Sequence, residues 1–270
     1  MSSMDIYLDP YTDTARPLGL ARPRTSSVAP VGSFTVPLVP ESDWQEFDLT
    51  TEPGYPLVVK DQNGKGACNG HATAEAMELA RWIHGQPHVP LSGWFPYAIL
   101  CGGWDRGSSI GEALTLIQKT GLAPETQVPY GTINPGRLSR EAYDLATNYE
   151  AEVSVALETW EQIMSAVQLK LGGVNLSIRV GGKFDLDSEG VVTLSRGTGN
   201  HAICAGHGAK RLRNGQWAIK WQNSWTEKWG DHGHAWYTQE HWDAQNYREA
   251  WIIRTPKEAD QKPPVVSTSR

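Results

Sequence analysis

The sequence predicts an α+β fold in which a helical lobe precedes a β lobe. Two observations carry this. Segments with helical periodicity and recognisable caps occupy the chain up to about residue 172, and short β-branched or aromatic runs separated by Gly, Asn or Asp occupy most of the rest. Seven of the 12 tryptophans fall between Trp217 and Trp251, as a heavily aromatic β core or cleft requires.

Residues 1 to about 40 are rich in Pro, Ser and Thr without helical periodicity, and read as an extended or partly disordered leader or arm. Ala72, Ala76, Leu79 and Ile83 recur at three- and four-residue steps, so a helix is expected from Cys68 to His84. Ser109 with Glu112 matches a capping box, and Gly121 stands where that second helix would stop. Ser139 caps a third helix in "LSREAYDLATN". Thr159 with Gln162 opens a fourth, which Gly172 and Gly173 end. Strands are expected in "VNLSIRV", "GVVTLS", "HAICAGHG", "QWAIKWQ", "GHAWYT" and "AWIIR". The organisation is therefore a leader over 1–40 and a two-lobe domain over 41–255. Its helical lobe lies mainly in 60–150 and its β lobe mainly in 151–255, with a polar, disordered tail over 256–270. Clefts between lobes are common binding sites.

A net charge of −6 with no basic block argues against a nucleic-acid partner. No run of 18 apolar residues exists, so no membrane span is expected, and the N-terminus lacks the pattern of a secretory signal. A cytosolic or virion-associated protein is the expectation. Cys68, Cys101 and Cys204 are too few and too scattered for a disulfide framework.

One cysteine stands apart. Cys68 lies where the loop bearing Gly64 and Gly66 meets the first helix, and a helix N-terminus favours the thiolate. From local context alone, a small buried packing residue is an equal reading. A thiolate nucleophile needs a base, and the base an orienter. His201 opens a strand, Asn223 follows 22 residues later and could fix its tautomer, and Trp225 could cover that contact. Cys68 with His71 and His201 with Cys204 also have zinc-ligand spacing. On a strand, however, residues three apart face opposite ways, so no metal site is expected and Cys204 reads as core. Cys101 reads as a reduced structural cysteine, and His84, His88, His207, His232, His234 and His241 as surface or loop residues.

"KDQNGKGACNGHATAEAMELA" resembles the active-site segment of papain-like cysteine peptidases, with Gln62 six residues before Cys68. "NHA" at 200–202 is similar to the segment holding the catalytic histidine, and "NSWTEKWGDHG" to the family's Asn-Ser-Trp segment. The resemblance covers residues 40 to 255 in the family's order and is nearest to bacterial and phage-type members without disulfides. It departs in three places. Asn69 replaces the usual Trp after the nucleophile, Lys65 leaves Cys101 without a disulfide partner, and the leader is shorter than the family's helical propeptide and lacks its pattern.

The resemblance implies a two-lobe fold, with a long central helix in one lobe, an antiparallel β-barrel-like second lobe and the active site between them. It implies a cysteine endopeptidase acting on a peptide or protein substrate without metal or organic cofactor. Cys68 would be the nucleophile, His201 the base, Asn223 its orienter, Gln62 an oxyanion donor and Trp225 a water shield. Gly102 and Gly103 would line the cleft, and Val174, Gly199 and Ala202 would border the pocket that reads the side chain two before the cut. Two other readings stand beside this one. One is a papain-like scaffold whose arm docks an assembly partner, for instance in a phage particle. The other is a different thiol hydrolase, such as a cell-wall peptidase or acyltransferase.

Overall fold

The computed structural model describes residues 4–22 and 34–255. The expected tail over 256–270 lies outside the described residues. Within the leader, β1 (Asp5–Asp9) and β2 (Thr14–Leu18) form an antiparallel hairpin where an extended arm was expected. Alternation explains it. Tyr7, Asp9, Arg16 and Leu18 are buried against the rest of the chain, while Ile6 and Leu8 face outward. Tyr7 stacks on Trp225 at 5.5 Å. Arg16 pairs with Asp9 within the hairpin at 3.3 Å and crosses from it to Asp61 at 3.1 Å and the Trp225 carbonyl at 3.1 Å.

The short strand β3 (Phe47–Asp48) precedes the helical lobe. That lobe holds α1 (Cys68–Ile83), α2 (Trp94–Cys101), α3 (Ile110–Lys119) and α4 (Arg140–Ala146). Helix α1 is the central one, buried from Cys68 to Arg81. Ser109 and Glu112 close a capping box on α3, and Ser139 caps α4. Helix α2 was not read from the sequence, because Pro96 sits inside it and its N-cap residue is Gly93, the N–H groups of Trp94 and Phe95 donating instead to Ser92 Oγ at 3.2 and 3.3 Å. A proline in the first turn is tolerated, since that N–H has no helical partner to lose.

The β lobe begins with β4 (Val153–Ala156) and α5 (Trp160–Gln168), the latter capped by the Thr159–Gln162 box. There follow β5 (Gly173–Ile178), β6 (Gly197–Thr198), β7 (His201–Arg211), β8 (Trp217–Gln222) and β9 (His234–Thr238). The chain then runs through α6 (Gln239–Asp243), β10 (Gln245–Tyr247) and β11 (Ala250–Arg254). The main sheet is open and antiparallel, ordered β4-β11-β5-β7-β8-β9, with β3 added to β7. "GVVTLS" forms only isolated bridges, through Val191 and Val192.

Helix α1 packs across β7 and β5, joining the lobes. The approach is close: a Cβ on Gly173 would come within 2.3 Å of the Ala76 carbonyl oxygen. One core, with Trp221, Trp225, Trp229, Phe184 and Ile219, fills the β lobe. Another, with Met77, Leu79, Trp94, Phe95 and Leu114, fills the helical lobe. His207, His234 and His241 are buried, contrary to the surface or loop places expected, because the strands and short helix bearing them are covered. No helix among the described residues is long and apolar enough to cross a membrane.

Candidate active site

The site forms where the N-terminus of α1 meets the start of β7. Cys68 and His201 are both 0% exposed. The Cys68 thiol packs with Ala72 and Ala202, and the backbone amides of Ala202, Gly19, Asn69 and Cys68 itself turn toward its sulfur. His201 Nε2 lies 2.8 Å from Asn223 Oδ1. That oxygen also accepts from the Ser224 N–H at 2.9 Å, which identifies it as the carbonyl end of the amide. His201 therefore donates through Nε2, and its Nδ1, buried without a hydrogen-bond partner, is the basic nitrogen. Trp225 covers the imidazole at 4.8 Å between ring centroids.

Gln62 is locked in orientation. Its Oε1 accepts from the Ser224 hydroxyl at 3.0 Å and from Trp225 Nε1 at 2.9 Å, so Nε2 must point the other way. There it donates to Lys65 O at 2.6 Å and to Pro17 O at 3.0 Å. The second acceptor belongs to the leader, whose residues after β2 run through the groove. Ser108 N–H donates to Gly19 O at 2.9 Å, Ala21 N–H to Ser108 O at 3.0 Å, and Leu20 N–H to Asn200 O at 3.2 Å. Leu20 packs against the cluster of Cys68, Ala72 and Ala202.

Gly19 fits because it has no side chain. A Cβ there would stand 1.9 Å from Gly66 O, while a Cβ on Gly107, at φ +73°, would stand 2.0 Å from Gly19 O. Burial in the filled groove decides the protonation states. It pushes the Cys68 thiol up to about 11, against the neighbouring amides, and His201 down to about 4, against its bond to Asn223. The thiolate expected from the helix dipole is overridden here by desolvation.

The cleft residues are partly redistributed. Ala202 touches Cys68, and Gly199 stands beside Ser177 and Gln245. Gly102 and Gly103 instead make the turn that ends α2, where Gly103 N–H donates to Ile133 O. Gly107 and Ser108, directly before the α3 cap Ser109, meet the segment in the groove. Val174 points into the β-lobe core, because strand alternation puts Val174, Leu176 and Ile178 on one face of β5 and Asn175 and Ser177 on the other. Asn69 has a structural task not read from the sequence. It donates to Ser108 Oγ at 3.0 Å and Ser109 O at 2.8 Å, and accepts from Asn175 at 3.1 Å, tying the nucleophile's turn to α3 and β5. Cys204 lies in the helical-lobe core, while His201 faces the groove. Cys101 is a free, buried cysteine whose thiol donates to Ile133 O at 3.2 Å.

A family model described as papain family cysteine protease matches residues 42–252. Among solved structures, the chain is similar to xylellain, a cysteine protease from Xylella fastidiosa. The identity is 20%, with 95% of this chain and 100% of that one covered and a TM-score of 0.64. It is also similar to the bromelain protease of Ananas comosus in complex with the E64 inhibitor, at 21% identity, 78% and 99% coverage and a TM-score of 0.63. A third is the proform of the ragweed pollen allergen Amb a 11, a cysteine protease, at 21% identity and a TM-score of 0.59. There 74% of this chain is covered and only 63% of the allergen's. A comparison with curated protein sequences gives no match.

Proposed function

The chain belongs to the papain family of cysteine proteases, and we propose that it is a cysteine endopeptidase working through Cys68, His201, Asn223 and Gln62. The observation that carries this reading is a carbonyl, that of Pro17, held by the Gln62 amide beside the buried Cys68. A substrate carbonyl placed there would be polarised for attack.

In the proposed reaction, Cys68 passes its proton to His201 Nδ1 and its sulfur bonds to the peptide carbonyl carbon. The oxyanion is held by Gln62 Nε2 and the Cys68 N–H. Collapse breaks the C–N bond as His201 hands the proton to the leaving amine, giving a thioester and a free amine. Water, deprotonated by His201, then splits the thioester to a carboxylic acid and restores the thiol. Asn223 holds the ring so that Nδ1 is the working nitrogen, and Trp225 keeps water from that contact.

The form described here is closed. The leader blocks the sulfur, and it runs the wrong way to be cut. In a substrate, the residue reaching Ala202 precedes the carbonyl at Gln62. In the leader, Leu20 follows Pro17. Residues 5–22 pack on their own chain, so this part of the arm has an intramolecular task.

The test is Cys68→Ala. Hydrolysis of a peptide library by the full chain should fall to background while circular dichroism and the melting profile stay as in the parent. Undiminished hydrolysis would remove the assignment.

A further inference from the structure

The leader leaves a mark beyond the catalytic pair. Two residues past Leu20, Arg22 lays its guanidinium over the Tyr247 ring, 5.2 Å from the centroid, and donates to Thr198 Oγ1 at 2.9 Å. Both partners are fixed by backbone, since β6 and β10 pair with Thr198 opposite Tyr247. Behind them stands Glu249, half-buried, its amide anchored to Ser177 Oγ at 2.8 Å. Its Oε2 is buried without a hydrogen-bond partner. The Tyr247 hydroxyl thus lies in the field of both Glu249 and Arg22. An aromatic face, a hydroxyl acceptor and an under-satisfied carboxylate are what a guanidinium or ammonium group binds. Two other nearby cations are engaged elsewhere: Arg179 is turned to Asp5 at 3.2 Å and reaches the Thr198 carbonyl at 3.5 Å, and Arg248 is turned to the Trp242 carbonyl at 3.1 Å and Asp243 at 3.2 Å.

We propose that Tyr247, Thr198 and Glu249 form a subsite for a basic side chain, so that the peptidase prefers substrates with Arg or Lys beyond the residue that packs on Ala202. Arg22 fills this subsite in the closed form, and a substrate cation fills it in the open one. The inference rests on the peptidase reading for its substrate, but the subsite itself is testable without turnover. Because a substrate runs opposite to the leader, the basic residue would stand three before the cut.

The first arm uses hydrogen exchange of the full chain, read at the Leu20 and Ala21 amides, which are bonded to Asn200 O and Ser108 O. Arg22→Ala and Tyr247→Ala should each speed exchange about fivefold, the size of an exposed cation–π contact. The double variant should go no further than either, and Arg22→Lys and Tyr247→Phe should keep protection. Additive effects, or none, would overturn the subsite. The second arm compares peptides carrying Arg, citrulline or Glu at each of the three positions before the cut. Arg should win over citrulline at one position by about fivefold, and Tyr247→Ala or Glu249→Gln should erase the gap. Equal rates for Arg and citrulline, or a gap that survives both substitutions, would also overturn it. A chain that hydrolyses nothing would instead fail the peptidase reading, with the exchange cycle still deciding the subsite.

Discussion

Substituting Gly19 by Ala should unseat the leader without touching a catalytic group. The added Cβ would stand 1.9 Å from Gly66 O and 2.4 Å from Gly66 C and Cα. These are backbone atoms, at the loop that positions Cys68, so they cannot swing aside as a side chain end would. Over-packing of this kind costs about 1–3 kcal/mol. The four hydrogen bonds that seat residues 17–21 involve Pro17 O, Gly19 O, Leu20 N and Ala21 N, so a shift of Gly19 strains its neighbours as well. A cost of 1–3 kcal/mol raises the open population by roughly 5- to 150-fold. The assay is alkylation by iodoacetamide, with the adduct located by mass spectrometry. Cys68 is sealed in the closed form, so its labelling rate follows the open population. Cys101 and Cys204, also buried but away from the leader, serve as internal standards. Cys68 labelling should accelerate within that range while theirs stays constant. A Cys68 rate unchanged within twofold would mean that the leader does not control access, and the closed-form argument would fall. Equal acceleration of all three cysteines would point to general unfolding and refute it equally.

Gln62→Ala should slow peptide hydrolysis by about 10²–10³-fold, as loss of one oxyanion donor does. Because the same amide holds Pro17 O, Cys68 labelling in the resting protein should become faster, so the two readouts move in opposite directions. Parallel movement would count against the shared role. His71 gives a pH prediction. Burial pushes it down to about 3, with both ring nitrogens unpartnered against the edge of Trp94. An unfolded His takes up a proton below about pH 6.5, which the folded chain refuses until about pH 3. Its contribution is therefore fully present above pH 6.5 and is lost as pH falls toward 3. One pH unit below 6.5, the parent should have lost about 1.4 kcal/mol more than His71→Met. Urea unfolding of the two proteins at pH 7.5 and 5.5 measures this, and a stability difference that is the same at both pH values would refute it.

What was legible in the sequence was local. The boxes Ser109–Glu112 and Thr159–Gln162 formed as read because every atom of a cap lies within one helical turn. Cys68, His201 and Asn223 drew attention through a helix start, a strand start and a residue able to orient the imidazole, while Gln62 entered only through the resemblance to papain-like peptidases. The leader hairpin was illegible for the opposite reason. Tyr7 and Arg16 read as unremarkable until Trp225, some two hundred residues later, supplies the surface they cover. Gly102 and Gly103 were mistaken for the groove wall because glycine pairs look alike in sequence. The fold delivers Gly107 and Ser108 to the groove instead, through the turn that caps α3. Val174 failed on strand parity: a slip of one residue in a β-strand exchanges core for cleft, and only the pairing of β5 with β7 fixes the phase. Arg22 and its partners Tyr247 and Thr198 carried no sequence signal, since neither neighbour lies within a recognisable motif.

The leader closes this site in two ways, and they reinforce each other. Sterically, Gly19 and Leu20 cover the sulfur. Electrostatically, they exclude water, and exclusion drives thiol and imidazole apart in proton affinity, up to about 11 for Cys68 and down to about 4 for His201. With such a gap the proton stays on sulfur, and the nucleophile is absent as well as hidden. The thiolate–imidazolium pair of the proposed mechanism is therefore a property of the open groove, where solvent or a polarised substrate carbonyl can stabilise separated charge. Seating the leader and forming the ion pair are then competing states of one equilibrium. By linkage, whatever favours one must disfavour the other. A protonated His201 resists the leader's return, so mild acid should loosen the seat from its catalytic end, and the positive charge of Arg16, which ties the hairpin to Asp61, adds to that resistance.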